Sequence, residues 1–304
     1  MQINDVDIDD TYAEAFGMRA ARLLITGADL EWAREAGRVM TGFGTSVIGC
    51  GCEAGVEGPL PESTPDGRPG VRVLLFGTSA QALEDQLVSR VGQCVMTCPT
   101  TACYDDLPSE ERVKVGAKLR FFGDGFQTSK LVEPALRGDG AAARRLWRIP
   151  VMDGEFVVDD RFGVRRAVAG GNFFIMGRTP EATAAAARAA AAAMREVAGV
   201  ILPFPGGIVR SGSKVGSKYK KLVASTNSPY CPTLRANVES ALPKEAACCL
   251  EIVVDGLDEG SVASSMAAGI RAACAPGVIR ISAGNYGGKL GKFQFHLRKI
   301  LETV

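Results

Sequence analysis

In the segment Cys248–Gly256, CCLEIVVDG, one glutamate stands among apolar residues. Alternation along a strand puts Leu250, Ile252 and Val254 on one face and leaves Glu251 on the other with Cys249 and Val253. A carboxyl group held against apolar neighbours loses hydration, which raises its pKa toward the range where it can both take and give a proton. On a solvated face the same glutamate has no such property, so its place in the fold decides between the two. Other bases are scarce. His296 is the only histidine and lies near the end of the chain, so a triad built on imidazole would have to recruit it from there. Cys94 and Cys98 are nucleophiles in principle, but no histidine is near them in sequence to make the thiolate. The nine cysteines are an odd number, and the close pairs Cys50/Cys52, Cys94/Cys98 and Cys248/Cys249 lack the spacing of a zinc knuckle or a dithiol redox site. Reduced thiols packed as small apolar side chains are expected, with no metal site.

Two glycine-rich loops carry the remaining polar chemistry. SGSKVGSK at 211–218 and SAGNYGGKLGK at 282–292 both lack the GxxxxGK[ST] and GxGxxG patterns of nucleotide loops. Lysine, tyrosine and asparagine in such loops can close over an anionic or amide-bearing ligand, or simply belong to tight turns. Taken singly, Lys214 and Lys289 read as solvated side chains.

The elements that position these residues follow a repeated strand, glycine, helix unit. RLLITG at 22–27 precedes a helix opening at Asp29, and NFFIMG at 172–177 precedes one opening at Thr179, with Pro180 suited to its first turn. RVLLFG at 72–77 leads to a helix near Ser79, and EIVVDG at 251–256 to one near Asp258. A further β-rich run follows each helix: TSVIGC at 45–50, CVMTC at 94–98, VILPF at 200–204 and VIRIS at 278–282. Each half then reads β-α-β twice. This predicts an α+β protein of two ferredoxin-like (split βαβ) lobes, each an antiparallel sheet covered by helices. Strand-like KLRFF and GEFVV mark a connector between them, giving residues 1–150 as the N-terminal lobe with connector and 151–304 as the C-terminal lobe. The alanines crowding 184–193 need only an ordinary covering helix.

Composition narrows the function. A chain of 304 residues, 46% hydrophobic, can bury a full core. Its net charge of +1, with no long lysine or arginine run, argues against a nucleic-acid partner. The acidic, polar opening MQINDVDIDD is unlike a signal peptide, and no apolar stretch approaches the roughly 20 residues that span a bilayer. A cytoplasmic protein without membrane attachment is expected.

Longer stretches settle on a family. INDVDIDDTYAEAF, TPDGRPG at 64–70, GQCVMTCPTTA at 92–102, AGGNFF at 169–174, PFPGGIVRSGSK at 203–214 and ISAGNYGGKLGKFQF at 281–295 resemble formylmethanofuran:tetrahydromethanopterin formyltransferase, in order and over almost the whole chain. The resemblance implies transfer of a formyl group between N5 of tetrahydromethanopterin and the amine of methanofuran. These two carriers would be co-substrates, with no tightly bound cofactor and no metal. It also implies self-association as a dimer or tetramer. The near-neutral, alanine- and arginine-rich composition is closer to the bacterial version found in methylotrophs, where it is one subunit of a formyltransferase/hydrolase complex, so other subunits of such a complex are expected partners. The family's catalytic glutamate precedes a GLDE turn, which here makes it Glu251, ahead of Gly256–Glu259. Asn285 and Asn172 are expected to assist as oxyanion donors, together with backbone amides of the 205–207 or 283–288 loops. Carrier contacts are expected from Gln93, Thr100, Thr101, Phe204, Pro205, Gly206, Gly207, Ser211, Ser213, Lys214, Tyr286, Gly287, Gly288 and Lys289, with Lys292 as a further cation. The competing readings are an inactive scaffold or ligand-binding component of a one-carbon complex, and an RNA platform, for which the NFFIMG strand lacks basic flanks.

Overall fold

The computed structural model describes residues 1–46, 51–132 and 143–303. The chain divides into two units, one formed by Met1–Gly17, Ser46–Cys50 and Val168–Val304, the other by Met18–Thr45 and Gly51–Ala167.

In the first unit, strand Arg165–Gly177 leads into helix Pro180–Arg195 and the short strand Val200–Ile201, and strand Cys248–Gly256 leads into helix Glu259–Ala273 and strand Val278–Ser282. Strand Arg165–Gly177 pairs antiparallel with Val278–Ser282 on one side and with Cys248–Gly256 on the other, and Val200–Ile201 pairs outside Cys248–Gly256. Numbered along the chain the order is 4-1-3-2, the expected ferredoxin-like arrangement. Both helices start where side chains can satisfy their free N–H groups. The Thr179 side chain accepts from the Ala182 N–H, and Asp258 and Ser261 cap each other reciprocally. The alanine-rich helix turns Ala186, Ala187, Ala190, Ala191 and Met194 inward, into a core shared with Val262, Met266 and Ile270 of the second helix and with Phe173, Ile175, Ile252 and Val254 of the sheet. Small side chains allow that close helix packing, as a covering helix requires.

The N-terminal hairpin, Gln2–Ile3 with Val6–Ile8, adds to the Val278–Ser282 edge in parallel. The first residues of strand Tyr12–Thr26 pair with Phe293–His296. These two pairings bring the N-terminal segment beside the 282–292 loop.

The second unit repeats the plan. The later part of strand Tyr12–Thr26, helix Leu30–Met40, strands Glu53–Val56 and Gly70–Gly77, helix Ala80–Arg90 and strand Ala102–Asp105 form another antiparallel 4-1-3-2 sheet. Asp29 and Ser79 cap its helices. Three connector strands extend it: Gly154–Asp159 pairs parallel with Ala102–Asp105, followed by Arg144–Val151 and Thr128–Val132.

Three expected strands differ. The run 94–98 is not extended, because helix Ala80–Arg90 continues through a π turn, Val91–Val95, and Leu83, Leu87, Val91 and Val95 recur every fourth residue on its buried side. The strand begins only at Ala102. KLRFF folds into the short helical turns Gly116–Leu119 and Arg120–Gly123, leaving Phe121 and Phe122 exposed, so no sheet face rewards an extended chain there. VILPF keeps a strand only at Val200–Ile201, since Pro203 and Pro205 have no N–H to give a ladder. Most of TSVIGC lies outside the described residues. Among the described residues no helix is long and apolar enough to cross a membrane.

Candidate active site

Strand Cys248–Gly256 carries Glu251 across the first unit's sheet. Its peptide exchanges two hydrogen bonds with Val209, at 2.7 and 2.9 Å, and Phe174 lies opposite it on the other neighbour. Ile252 and Val254 point into the core, so the alternate face carries the glutamate into a cleft of about 670 Å³. That cleft is lined by Asp9, Asp10 and Thr11 from the N-terminal segment, Asn172 and Phe174 from the central strand, Ser213–Val215, Asn227 and Tyr230 from the long excursion, and Ser282–Tyr286. All of them belong to the first unit.

Burial pushes the Glu251 carboxyl up to about 7. Desolvation is the cause, since water is removed from the charged form. Two phenols share the cleft. Burial raises Tyr230, with the charges of Cys249, Asp9 and Glu251 adding and a hydrogen bond to Ser282 opposing; its ring packs on Phe174 with centroids 4.5 Å apart. Burial also raises Tyr286, helped by the Glu251 and Glu14 charges. Both hydroxyls therefore stay protonated at neutral pH and can donate hydrogen bonds.

The 282–292 loop is held from below by side chains. Asn172 clamps the Gly284 peptide, its Oδ1 accepting from the N–H at 2.7 Å and its Nδ2 donating to the carbonyl at 3.3 Å. Asn285 donates to the Tyr12 carbonyl and the Thr11 hydroxyl, and accepts from the Gly287 N–H. Glu14, buried on strand Tyr12–Thr26, accepts from four peptide N–H groups: Tyr286 (2.7 Å) and Gly288 (2.9 Å) on Oε2, Leu290 (2.6 Å) and Gly291 (2.5 Å) on Oε1. Burial pushes its carboxyl up, but the four N–H groups outweigh that and hold it below the usual carboxylate range. Gly287 and Gly288 have φ of 68° and 72°, which a side chain would resist.

Of the residues singled out from the sequence, Glu251, Asn172, Asn285, Tyr286, Ser213 and Lys214 come together in the cleft. Ser211 lines a smaller hollow beside it that also touches Glu251 and Tyr230. Lys214 donates to the Ser228 hydroxyl at 2.8 Å. Gly287, Gly288 and Lys289 continue the loop past the cleft lining, and Lys292 is exposed at its far end. Phe204 caps the tight turn Pro205–Gly207, and a Cβ on Gly207 would meet Arg195 and Leu202, so this turn packs on helix Pro180–Arg195. Gln93, Thr100 and Thr101 are in the second unit. There the Gln93 carbonyl accepts from Thr97, the Thr100 N–H donates to Asp153, and the Thr101 hydroxyl donates to the Val95 and Cys98 carbonyls. His296 packs at a tilt against Tyr12, ring centroids 5.1 Å apart and planes at 42°. Sequence reasoning missed Asp9, Thr11, Glu14, Phe174, Asn227, Tyr230 and Ser282. For Glu14 a signal existed: it stands between Ala13 and Ala15, a small-residue pattern that buries one face and leaves the glutamate on the other.

A family model described as formylmethanofuran-tetrahydromethanopterin formyltransferase matches residues 1–151, and one described as FTR, proximal lobe, matches residues 154–300. The chain is 53% identical over 306 residues to the formylmethanofuran–tetrahydromethanopterin formyltransferase of Methylococcus capsulatus, covering 99% of this chain and all of that one. It is 49% identical to a protein of Methylorubrum extorquens named as a subunit of the formyltransferase/hydrolase complex, covering 99% and 97%. Among solved structures it is similar to the Methanosarcina barkeri formyltransferase (48% identity, TM-score 0.91, 99% and 100% covered). It is likewise similar to a chain of the Methylorubrum extorquens formyltransferase/hydrolase complex with methylofuran (48% identity, TM-score 0.94, 99% and 98% covered).

Proposed function

This chain belongs to the formylmethanofuran–tetrahydromethanopterin formyltransferase family, and from that premise we propose how its cleft performs the transfer. The protein is a formyltransferase that moves a formyl group between methanofuran and tetrahydromethanopterin. In the direction from formylmethanofuran, N5 of the pterin adds to the formyl carbon and the carbonyl π pair moves onto oxygen. The tetrahedral centre then collapses by breaking the carbon–nitrogen bond to methanofuran. One proton passes from the attacking nitrogen to the leaving amine. Running the steps backwards gives the opposite transfer.

Glu251 shuttles that proton. The observation that carries this assignment is its desolvated carboxyl, pushed up to about 7 inside a cleft large enough for the reacting ends of two carriers. An ordinary surface glutamate is too weak a base for the task. The protonated phenols of Tyr286 and Tyr230 supply donors to the developing oxyanion. Asn172 and Asn285 serve by fixing the loop edge, because their amides are engaged with it. Ser213 and Lys214 contact a carrier's polar tail. The carriers act as dissociable co-substrates rather than bound cofactors. A relative named as part of a formyltransferase/hydrolase complex supports assembly of this chain with such subunits; self-association and a cytoplasmic location belong to the same proposal.

The test is turnover of Glu251→Gln with both carriers, followed by the pterin absorbance change. A loss of about 100-fold or more in kcat with carrier KM within a few-fold is the expected result. Near-normal turnover removes Glu251 from the mechanism, and absence of any transfer by the unaltered protein would instead favour the scaffold.

A further inference from the structure

Glu14 is the least ordinary polar residue of the first unit. Its side chain is 1% exposed, yet it makes no ion pair among the described residues; both oxygens are filled by peptide N–H groups of one loop. A carboxylate is the one side chain that can accept four such bonds at once, because it has two oxygens and no hydrogen of its own. The loop it gathers contains Gly287, Gly288 and Gly291 within six residues, a composition with little intrinsic order. Close packing reinforces the grip. A Cβ on Gly291 would press on the Ala15 carbonyl and on the Glu14 stem, so the chain passes tightly over the carboxylate. Tyr286 is the first residue held. Its ring lines the cleft that contains Glu251 and contacts Phe16, two residues along from Glu14.

Resting on the formyl-transfer reading above, we propose that Glu14 is a positioning residue. Its carboxylate orders the Tyr286–Gly291 loop through four peptide N–H bonds and so holds the Tyr286 side chain in the cleft beside Glu251. Glu14 touches neither carrier. It acts through Tyr286, and removing the clamp lets the loop sample other glycine conformations in which the phenol leaves the cleft.

Two readouts on the full chain separate this from a general structural role. In Glu14→Gln, two of the four N–H groups face an NH2 group, so hydrogen exchange of the Tyr286–Gly291 amides should rise at least about 10-fold while the strand Cys248–Gly256 stays protected. Formyl transfer with both carriers should fall at least about 10-fold in kcat. In a Tyr286→Phe background the same substitution should cost less than about 2-fold more, because the group it positions has already been removed. Unchanged loop exchange, or an equal cost of Glu14→Gln with and without the Tyr286 hydroxyl, overturns the proposal. If Glu14→Gln fails to fold, Glu14→Asp, too short to reach both N–H pairs, takes its place with the same criteria. A failure of Glu251→Gln to lose activity would count against the shuttle alone, since exchange of the loop amides is measured without carriers.

Discussion

At the scale of single residues, the first unit sets two glutamates in opposite electrostatic states, one in the cleft and one beneath its loop. Glu251 loses water within its cleft and is raised to about 7; Glu14 is buried but solvated by peptide dipoles and kept low. Their pH signatures must differ in sign. A carboxyl raised on folding binds its proton more tightly in the native state, so its contribution is present below the ordinary value of 4.5 and is lost as pH rises through about 7. Glu251→Gln should therefore be more stable than the unaltered protein above pH 7 by up to about 3 kcal/mol, and equal to it near pH 4, measured by urea unfolding across pH. The rate has the same marker: kcat/KM should rise with pH to a plateau with a midpoint near 7, and a flat profile would remove the shuttle. Glu14 works the other way. Its stabilisation is present above the ordinary carboxyl range and fails only as pH falls below it. The face that carries Glu251 was legible in the sequence, because alternation with Leu250, Ile252 and Val254 set it apart, while a role for it came only from the family resemblance. Tyr230 was not, because no local pattern ties the SPYCP segment to a strand twenty residues later; only the folded excursion brings its ring onto Phe174.

At the scale of elements, the N-terminal signals of helices were the clearest words in the sequence. Asp29, Ser79, Thr179 and Asp258 each accept a hydrogen bond from the residue three places on, as their positions before amphipathic runs require. Thr179→Ala should cost about 1 kcal/mol in urea unfolding without affecting carrier KM. Helix ends were harder to read. The π turn at Val91–Val95 prolongs a four-residue apolar spacing through residues whose types favour strands, and burial of Val91 and Val95 overrides propensity. The turn is closed by Thr101, whose buried hydroxyl donates to the Val95 and Cys98 carbonyls at 2.6 and 3.0 Å. Replacing it by valine should cost about 1 kcal/mol, since both carbonyls lose the hydroxyl donor while Val95 keeps the Cys98 N–H.

For the whole molecule, duplication makes the fold readable: the same strand, glycine, helix cadence produced the same 4-1-3-2 sheet in each unit. What duplication hides is the difference between the copies, because the first unit carries an acid on its third strand with a cleft before it, and the second spends its buried charge on architecture instead. There Glu57 accepts from two Arg22 nitrogens, each at 2.9 Å, and Glu57→Ala should cost about 1–3 kcal/mol, because the guanidinium loses its closest partner but keeps Asp106 at 3.5 Å. A net charge of +1 and a sequence isoelectric point near 7.5 add a bulk property. Repulsion between molecules is weakest there, so polyethylene glycol precipitation should find a solubility minimum close to pH 7.5.

The four-fold grip of Glu14 also bears on how the native protein meets a protease. Lys289 and Lys292 stand in a surface segment rich in glycine and would ordinarily invite trypsin, yet cleavage requires several residues to detach and stretch across the enzyme's groove. Pinned amides forbid that detachment. Trypsin should spare both bonds at neutral pH and nick the chain there once Glu14 is replaced, so a gel of limited digests would report the state of the loop directly.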